Sequence, residues 1–306
     1  MSDTSKETSS ITRTKEVNFE TLAANLSSQE SLKETSYTIE IKPLGSGWDF
    51  NLKEIWAYRE LLYFLVWRDI KIRYKQTVLG ALWALLQPLL TMAVFTVLFG
   101  KLAGIKTDDI PYPLFAFCGL VIWTFINTTV NSSSNSLVNN TNLITKIYFP
   151  RLLIPYSAVV AGLIDVLLSL IVLVVIMILY SQAFHLSMLL APCFLLLAVL
   201  LAVGVGSFLS SLNVRFRDVK MLLPFGLQLW MFISPVFYPL SLFPEKWRWA
   251  LALNPLTGIL EGFRSSLFGK PFDYFSLVSS IVLTTLLFFV GAVIFKKMED
   301  DFADYL

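Results

Sequence analysis

Catalytic side chains are scarce in this sequence. Its 306 residues include one histidine and two cysteines. His185 sits in the short turn "SQAFHLS", where a lone histidine reads as a solvated residue rather than a base. Cys118 and Cys193 lie in separate apolar segments, which argues against a disulfide framework and against a zinc site. A phosphate-binding loop is missing too. Gly269-Lys270 runs into Pro271 and has no glycine at the required upstream spacing. The chain is therefore not expected to hydrolyse ATP, to hold a metal or to carry a cofactor of its own. Formal charge is also thin, at 15% of residues, where a soluble domain carries about a quarter. The net charge of +2 is too small to suggest nucleic acid. The opening "MSDTSKETSSITRTKEVNFE" lacks the apolar core of a secretory signal, and residues 1–47 are expected to be a polar, disordered cytoplasmic tail.

What the sequence has instead is apolar length. Hydrophobic residues make up 56% of it, and a crossing helix needs about 20 in a row. Six stretches meet that need: Val78–Gly100, Ile110–Val130, Leu152–Tyr180, Leu186–Val214, Met221–Phe243 and Tyr274–Phe295. The polar triplets at Asn127 and Asn131, which match glycosylation acceptors, read as loop residues at the inner end of the second span. "WALALNPLTGIL" (249–260) is too short to cross and is broken at Asn254-Pro255, which suits a re-entrant outer hairpin. Pro235 and Pro239 in "SPVFYP" should end or kink the fifth span. With both termini inside, eleven Lys and Arg residues flank the inner ends and six the outer, so the termini are expected in the cytoplasm. The fold class is all-α: residues 77–306 form a six-helix membrane domain.

Before the first span, residues 48–76 read as an amphipathic interface helix. Leu52, Ile55, Leu62 and Val66 share a helical face, and Trp56, Tyr58, Tyr63 and Trp67 suit the headgroup level. "RDIKIRYK" continues it with Arg68, Asp69, Lys71, Arg73 and Lys75, where Asp69 and Arg73 stand at i,i+4. The alternation of that run also fits a strand, so its secondary structure stays open. Asp165 is the single acid within its span and stands out, because carboxylates in hydrocarbon are expensive and mark function by default. Packing against Ser169, one turn on, is the structural alternative. Gly100-xxx-Gly104 and Gly258-xxx-Gly262 permit close helix approach.

Several stretches together resemble the membrane subunit of ABC-2 type polysaccharide exporters. They are "LVWRDIKIRYKQTVLGALWALLQPLL", "NTNLITKIYFPR", "LNVRFRDV", "ISPVFYP" and "LNPLTGILEGFR", in that order from about Trp48 onward. The resemblance implies a homodimer in the inner membrane, served by two separate ATPase subunits that hold ATP and Mg. Its cargo would be a lipid-linked polysaccharide such as O-antigen, capsule or teichoic acid. By resemblance, Arg68, Asp69, Lys71, Arg73, Lys75, Asn142, Lys146, Arg215, Arg217 and Asp218 couple to the ATPase. Sugar rings have apolar C–H faces that slide against aromatic rings, so Trp83, Trp123, Trp230, Phe237 and Tyr238 are candidates for the pore. Trp247, Trp249, Asn254, Pro255, Glu261 and Arg264 are candidates for an outer gate, with Glu261 and Arg264 spaced to pair.

Three other functions fit parts of the pattern. A permease of the same build for a drug or small lipid shares the topology. A membrane glycosyltransferase or acyltransferase needs acidic or histidine clusters that are missing here. A proton-coupled carrier would use Asp165 as its proton site.

Overall fold

The computed structural model describes residues 56–75, 80–107, 110–299 and 302. The expected tail, 1–47, and the first residues of the expected interface helix lie outside the described residues. The described chain is helical throughout its long segments: α1 (Arg59–Lys75), α2 (Gly80–Phe95), α3 (Tyr112–Asn139), α4 (Thr141–Lys146), α5 (Leu153–Leu179), α6 (Ala191–Arg215), α7 (Val219–Ile233), α8 (Glu245–Ala252), α9 (Pro255–Phe268) and α10 (Tyr274–Glu299). A wider π-helical turn, Thr96–Leu102, extends α2. Five helical segments are long and apolar enough to cross a membrane: Leu85–Leu102, Tyr112–Asn139, Leu153–Leu179, Leu186–Arg215 and Tyr274–Glu299. Leu167, Ile171, Phe225, Phe232, Val282 and Phe289 all lie exposed on the protomer's flanks. A bilayer makes such a surface favourable.

Two expectations are corrected by the helix ends. α7 is 15 residues long, about 22 Å at 1.5 Å per residue, against a hydrocarbon layer of about 30 Å. It stops at Ile233 because Pro235 forces Ser234 into extended backbone, with ψ 144°. The stretch read as Met221–Phe243 is thus a short helix followed by irregular chain. α3 errs the other way: it does not end at Val130 but runs to Asn139, so the polar residues read as a loop are helical. The Arg68–Lys75 run, open between helix and strand, is helix.

α3 forms the centre of the bundle. It packs between α5 and α6, and α6 packs in turn on α10, which also holds α9. The close approaches use glycine. A Cβ on Gly204 of α6 would sit 2.7 Å from the backbone of Phe288 in α10, and one on Gly291 would strike the Gly204 carbonyl. The two backbones touch there, as small residues allow. Gly258 lies against Ser276 and Ser280 of α10, and Gly262 against the Phe194 ring. Gly104, by contrast, meets nothing and serves as a left-handed turn (φ 62°). At one end a second core gathers Leu65, Leu137, Ile144, Leu153, Val214, Phe295 and Phe302, drawn from α1, α3–α6, α10 and Phe302 just beyond it.

Candidate functional site

At that end α1 is fastened to α5 by polar contacts that advance in the same direction along both helices. Ser157 Oγ donates to Asp69 Oδ2 at 3.0 Å. One turn further along α1, Arg73 pairs with the carboxylate of Asp165, and the Tyr74 hydroxyl donates to the same carboxylate. Burial, followed by the bond to Asp165, pushes the Tyr74 phenol above its ordinary pKa and keeps it a donor. The expected Asp69–Arg73 pair does not form; Asp69 pairs with its neighbour Arg68 at 2.8 Å, which releases Arg73 to α5. Ser169 bonds the backbone carbonyl of Asp165 at 2.8 Å, not its side chain. The intramembrane acid and the basic cluster, read separately in the sequence, are therefore one constellation. Leu65 is the only fully buried apolar residue of α1, with Tyr58, Leu61 and Leu62 beside it.

The opposite end is organised by the break after α7. Non-helical backbone at membrane depth must find partners for its carbonyls, and here side chains supply them. Arg264 Nη1 donates to the Pro235 carbonyl and Nη2 to that of Val236, each at 2.6 Å. Tyr112 Oη donates to the Phe237 carbonyl at 2.8 Å. Tyr238 Oη turns back to the carbonyls of Phe232 and Ile233, at 2.9 and 3.0 Å, which finish α7. Arg264 is only 3% exposed, lies 3.7 Å over the Phe115 ring and meets Glu261 at 3.1 Å. Its expected pairing with Glu261 is present, yet most of its donors serve backbone. Gly119 makes the space: a Cβ there would lie 2.5 Å from Arg264 Nη2 and 2.6 Å from the Val236 carbonyl.

A second pin joins α7 to the next helix pair. Trp230 Nε1 donates to Asn254 Oδ1 at 2.9 Å, and Asn254 Nδ2 donates to Ser234 Oγ at 2.7 Å. The same Asn254 oxygen caps α9 by accepting from the Leu256 N–H at 3.1 Å, with Pro255 opening the helix. Beside the break a cavity of about 200 Å³ is lined by Phe115, Arg248, Glu261, Arg264, Lys270 and Asp273 among others. Gly269 closes α9 with a left-handed φ of 64°, and the ring of His185 packs over it.

The remaining predicted residues fall into two groups. Lys71, Lys75, Asn142, Lys146, Arg215, Arg217 and Asp218 are all exposed. Trp247 and Trp249 are exposed on α8. Trp123 and Phe237, expected to line a pore, are instead buried within the protomer, 5% and 2% exposed. Trp123 meets Trp230 edge-on at 6.4 Å, and Phe237 stacks on Phe95 at 3.6 Å. They back the part-exposed Trp230 and Tyr238. Trp83 lies on α2, and its side chain is outside the described residues. Tyr74, Tyr112, Ser157 and Gly119 were missed; each acts through a contact with a remote residue, which leaves no local signal. Among the described residues, no group of three or more His, Cys, Asp or Glu side chains is placed to hold a metal.

Residues 60–268 match the model of a family described as ABC-2 type transporter. The chain is similar to the O-antigen export system permease protein RfbA of Myxococcus xanthus, 31% identical over 257 residues, which covers 83% of this chain and 98% of that protein. It is also similar to RfbA of Klebsiella pneumoniae, 29% identical over 252 residues, covering 81% and 95%. The polysialic acid transport protein KpsM of Escherichia coli is 25% identical over 241 residues, covering 76% and 91%.

Proposed function

Because this chain belongs to the ABC-2 type transporter family, as a permease subunit that is not itself catalytic, we propose that it exports a lipid-linked polysaccharide across the inner membrane. The observation that carries this reading is the likeness to O-antigen permeases over nearly their whole length. The energy comes from a separate ATPase, two copies of which bind a homodimer of this chain on the cytoplasmic side. ATP and Mg reside on those subunits.

In this reading α7 and the irregular chain that follows it together make a sixth crossing, α1 is the interface helix, and α8 with α9 forms the outer hairpin. The ATPase docks on the exposed charges of the α4 end: Lys71 and Lys75, Asn142 and Lys146, and the Arg215–Asp218 turn. Arg68, Asp69 and Arg73 do not reach outward. They fix α1 to itself and to α5, so a push on α1 is delivered to α5 and, through the shared core at Leu65, Leu137 and Val214, to α3 and α6. At the far end, Trp230 and Tyr238 offer ring faces to passing sugars, while Trp83 remains a third candidate for the passage. Trp247 and Trp249 form the rim of a gate whose base, Asn254, Pro255, Glu261 and Arg264, holds the break rigid.

The test is genetic and biochemical together. Removing this chain from the cell that makes it should abolish surface glycan and leave the lipid-linked polymer inside, with restoration by the intact chain. Unchanged surface glycan refutes the export reading. Native mass spectrometry of the purified complex should give two permeases and two ATPases.

A further inference from the structure

The helical run of α3 beyond Val130 places polar residues where the sequence suggested a loop. Thr124, Asn127, Thr128, Asn131, Asn135 and Asn139 recur at three- and four-residue steps, so they lie on one face at 3.6 residues per turn. That face is part-exposed in the protomer or open, whereas Ile126, Thr129, Ser133 and Ser136 on the other side are buried. From Thr124 to Asn139 it rises about 22 Å, about three-quarters of a hydrocarbon layer. Asn131 and Asn135 bond to each other at 2.9 Å, and Asn213 of α6 reaches the Asn135 oxygen at 3.3 Å. The side chains of Thr124, Asn127, Thr128 and Asn139 have no protein hydrogen-bond partner among the described residues.

A strip of amides and hydroxyls this long, four of its six side chains without a partner, does not face lipid, where no group answers them. Membrane helix seams use an occasional Asn or Thr as hydrogen-bonding glue among small residues that let backbones meet, whereas this face carries four asparagines in a row of turns. It carries no formal charge; none occurs anywhere from Ile110 to Thr145. Each amide offers both donors and an acceptor, and each hydroxyl can do either. Such groups suit a neutral partner rich in hydroxyls that also donates and accepts.

We infer that this face of α3 is a hydrogen-bonding wall of the passage, along which the hydroxyls of the exported glycan exchange partners as the polymer advances. The inference rests on the export reading and gives it a polar surface in place of aromatic rings alone. Exchange between equivalent neutral groups favours no single register, so the chain is held without being locked.

The test uses the intact complex with its ATPase, in membranes, with Cys118 and Cys193 replaced by alanine. Asn127→Cys and Asn131→Cys are treated with a charged, membrane-impermeant thiosulfonate, and Leu167→Cys on the exposed apolar face of α5 serves as the lipid reference. A thiol in hydrocarbon stays protonated and inert, so the two stripe positions should react at least about tenfold faster. In the native-cysteine chain, Asn127→Leu with Asn131→Leu should cut surface glycan about tenfold while ATP hydrolysis and complex assembly persist. Asn131→Gln, which keeps the amide, should retain export. Reaction as slow as at Leu167 overturns the inference. So does oxidative cross-linking of Asn131→Cys into dimers, which would make the face a seam between two copies. If loss of the whole chain leaves surface glycan untouched, the export reading fails by itself, and slow thiol reaction remains a separate refutation of the wall.

Discussion

Arg73 and Asp165 stand 92 positions apart in the sequence and form an ion pair in the fold. The pair joins the last turn of a helix that precedes the membrane domain to the middle of a spanning helix. Tyr74 joins the same carboxylate from the next position. An acid enclosed in this way acts as an anchor for α1, which is a different occupation from the proton site considered for Asp165 in the sequence.

The anchor should show as thermodynamic coupling. Asp165→Asn and Arg73→Gln should each lower the thermal stability of the purified protein, and the double variant should lose less than the sum. A coupling of about 0.5–3 kcal/mol is expected for groups in one network. Additive losses would mean that the two side chains do not support each other.

The pin at the break depends on guanidinium shape. Arg264→Lys keeps the charge but cannot reach the Pro235 and Val236 carbonyls together. It should cost about 1.5–3 kcal/mol, the net worth of hydrogen bonds to a charged group. Gly119→Ala should do comparable harm without replacing the arginine, because its methyl intrudes between Nη2 and the Val236 carbonyl. Chemical denaturation in detergent would measure both.

Glycine position matters more than glycine number. Gly291→Ala drives a methyl into the α6 backbone and should destabilise by about 1–3 kcal/mol. Gly226→Ala in α7 meets nothing within 4 Å and removes a flexible residue from a helix. It should be neutral or stabilise by about 0.5–1 kcal/mol. Equal melting temperatures for the two variants would contradict the packing of α6 on α10.

The basic cluster should separate into two phenotypes. Charge reversal at the exposed Lys71 and Lys75 should weaken association with the ATPase and leave the permease as stable as before. Reversal at Arg73 should lower stability first, because it strands Asp165. Pull-down with the ATPase and a melting curve on each variant distinguish the two. Uniform behaviour across the cluster would return it to a simple topology signal.

The fold was legible wherever hydrophobicity alone decides. The spans ending in α5, α6 and α10 were read within a few residues, since a run without charges has one favourable environment. α3 was cut short because its C-terminal half is written in asparagine and serine, which local propensity assigns to loops; only the surrounding bundle keeps it helical. α7 was read too long because apolar content continues through "SPVFYP" after the proline has stopped the helix. The break at Asn254-Pro255 was readable, being a local cap. Arg264 was placed at the gate with Glu261 as its spaced partner, but its main partners are carbonyls, and carbonyls carry no residue identity. The Arg73–Asp165 pair was hidden for a related reason: an i,i+4 partner was available nearby, and nothing local says that Arg68 takes it.

The core at the α4 end has a consequence for how the chain is made. Leu65 emerges from the ribosome early, and Phe302, which shares its core, is 237 positions later (302 − 65). At about 5–20 residues per second, synthesis separates them by about 12–47 seconds. Throughout that interval α1 has no finished socket, and its Tyr63, Phe64 and Trp67 stay exposed even in the completed chain. The socket of α1 is thus the last part of the described chain to close, and a nascent chain that stops short of α10 never completes it.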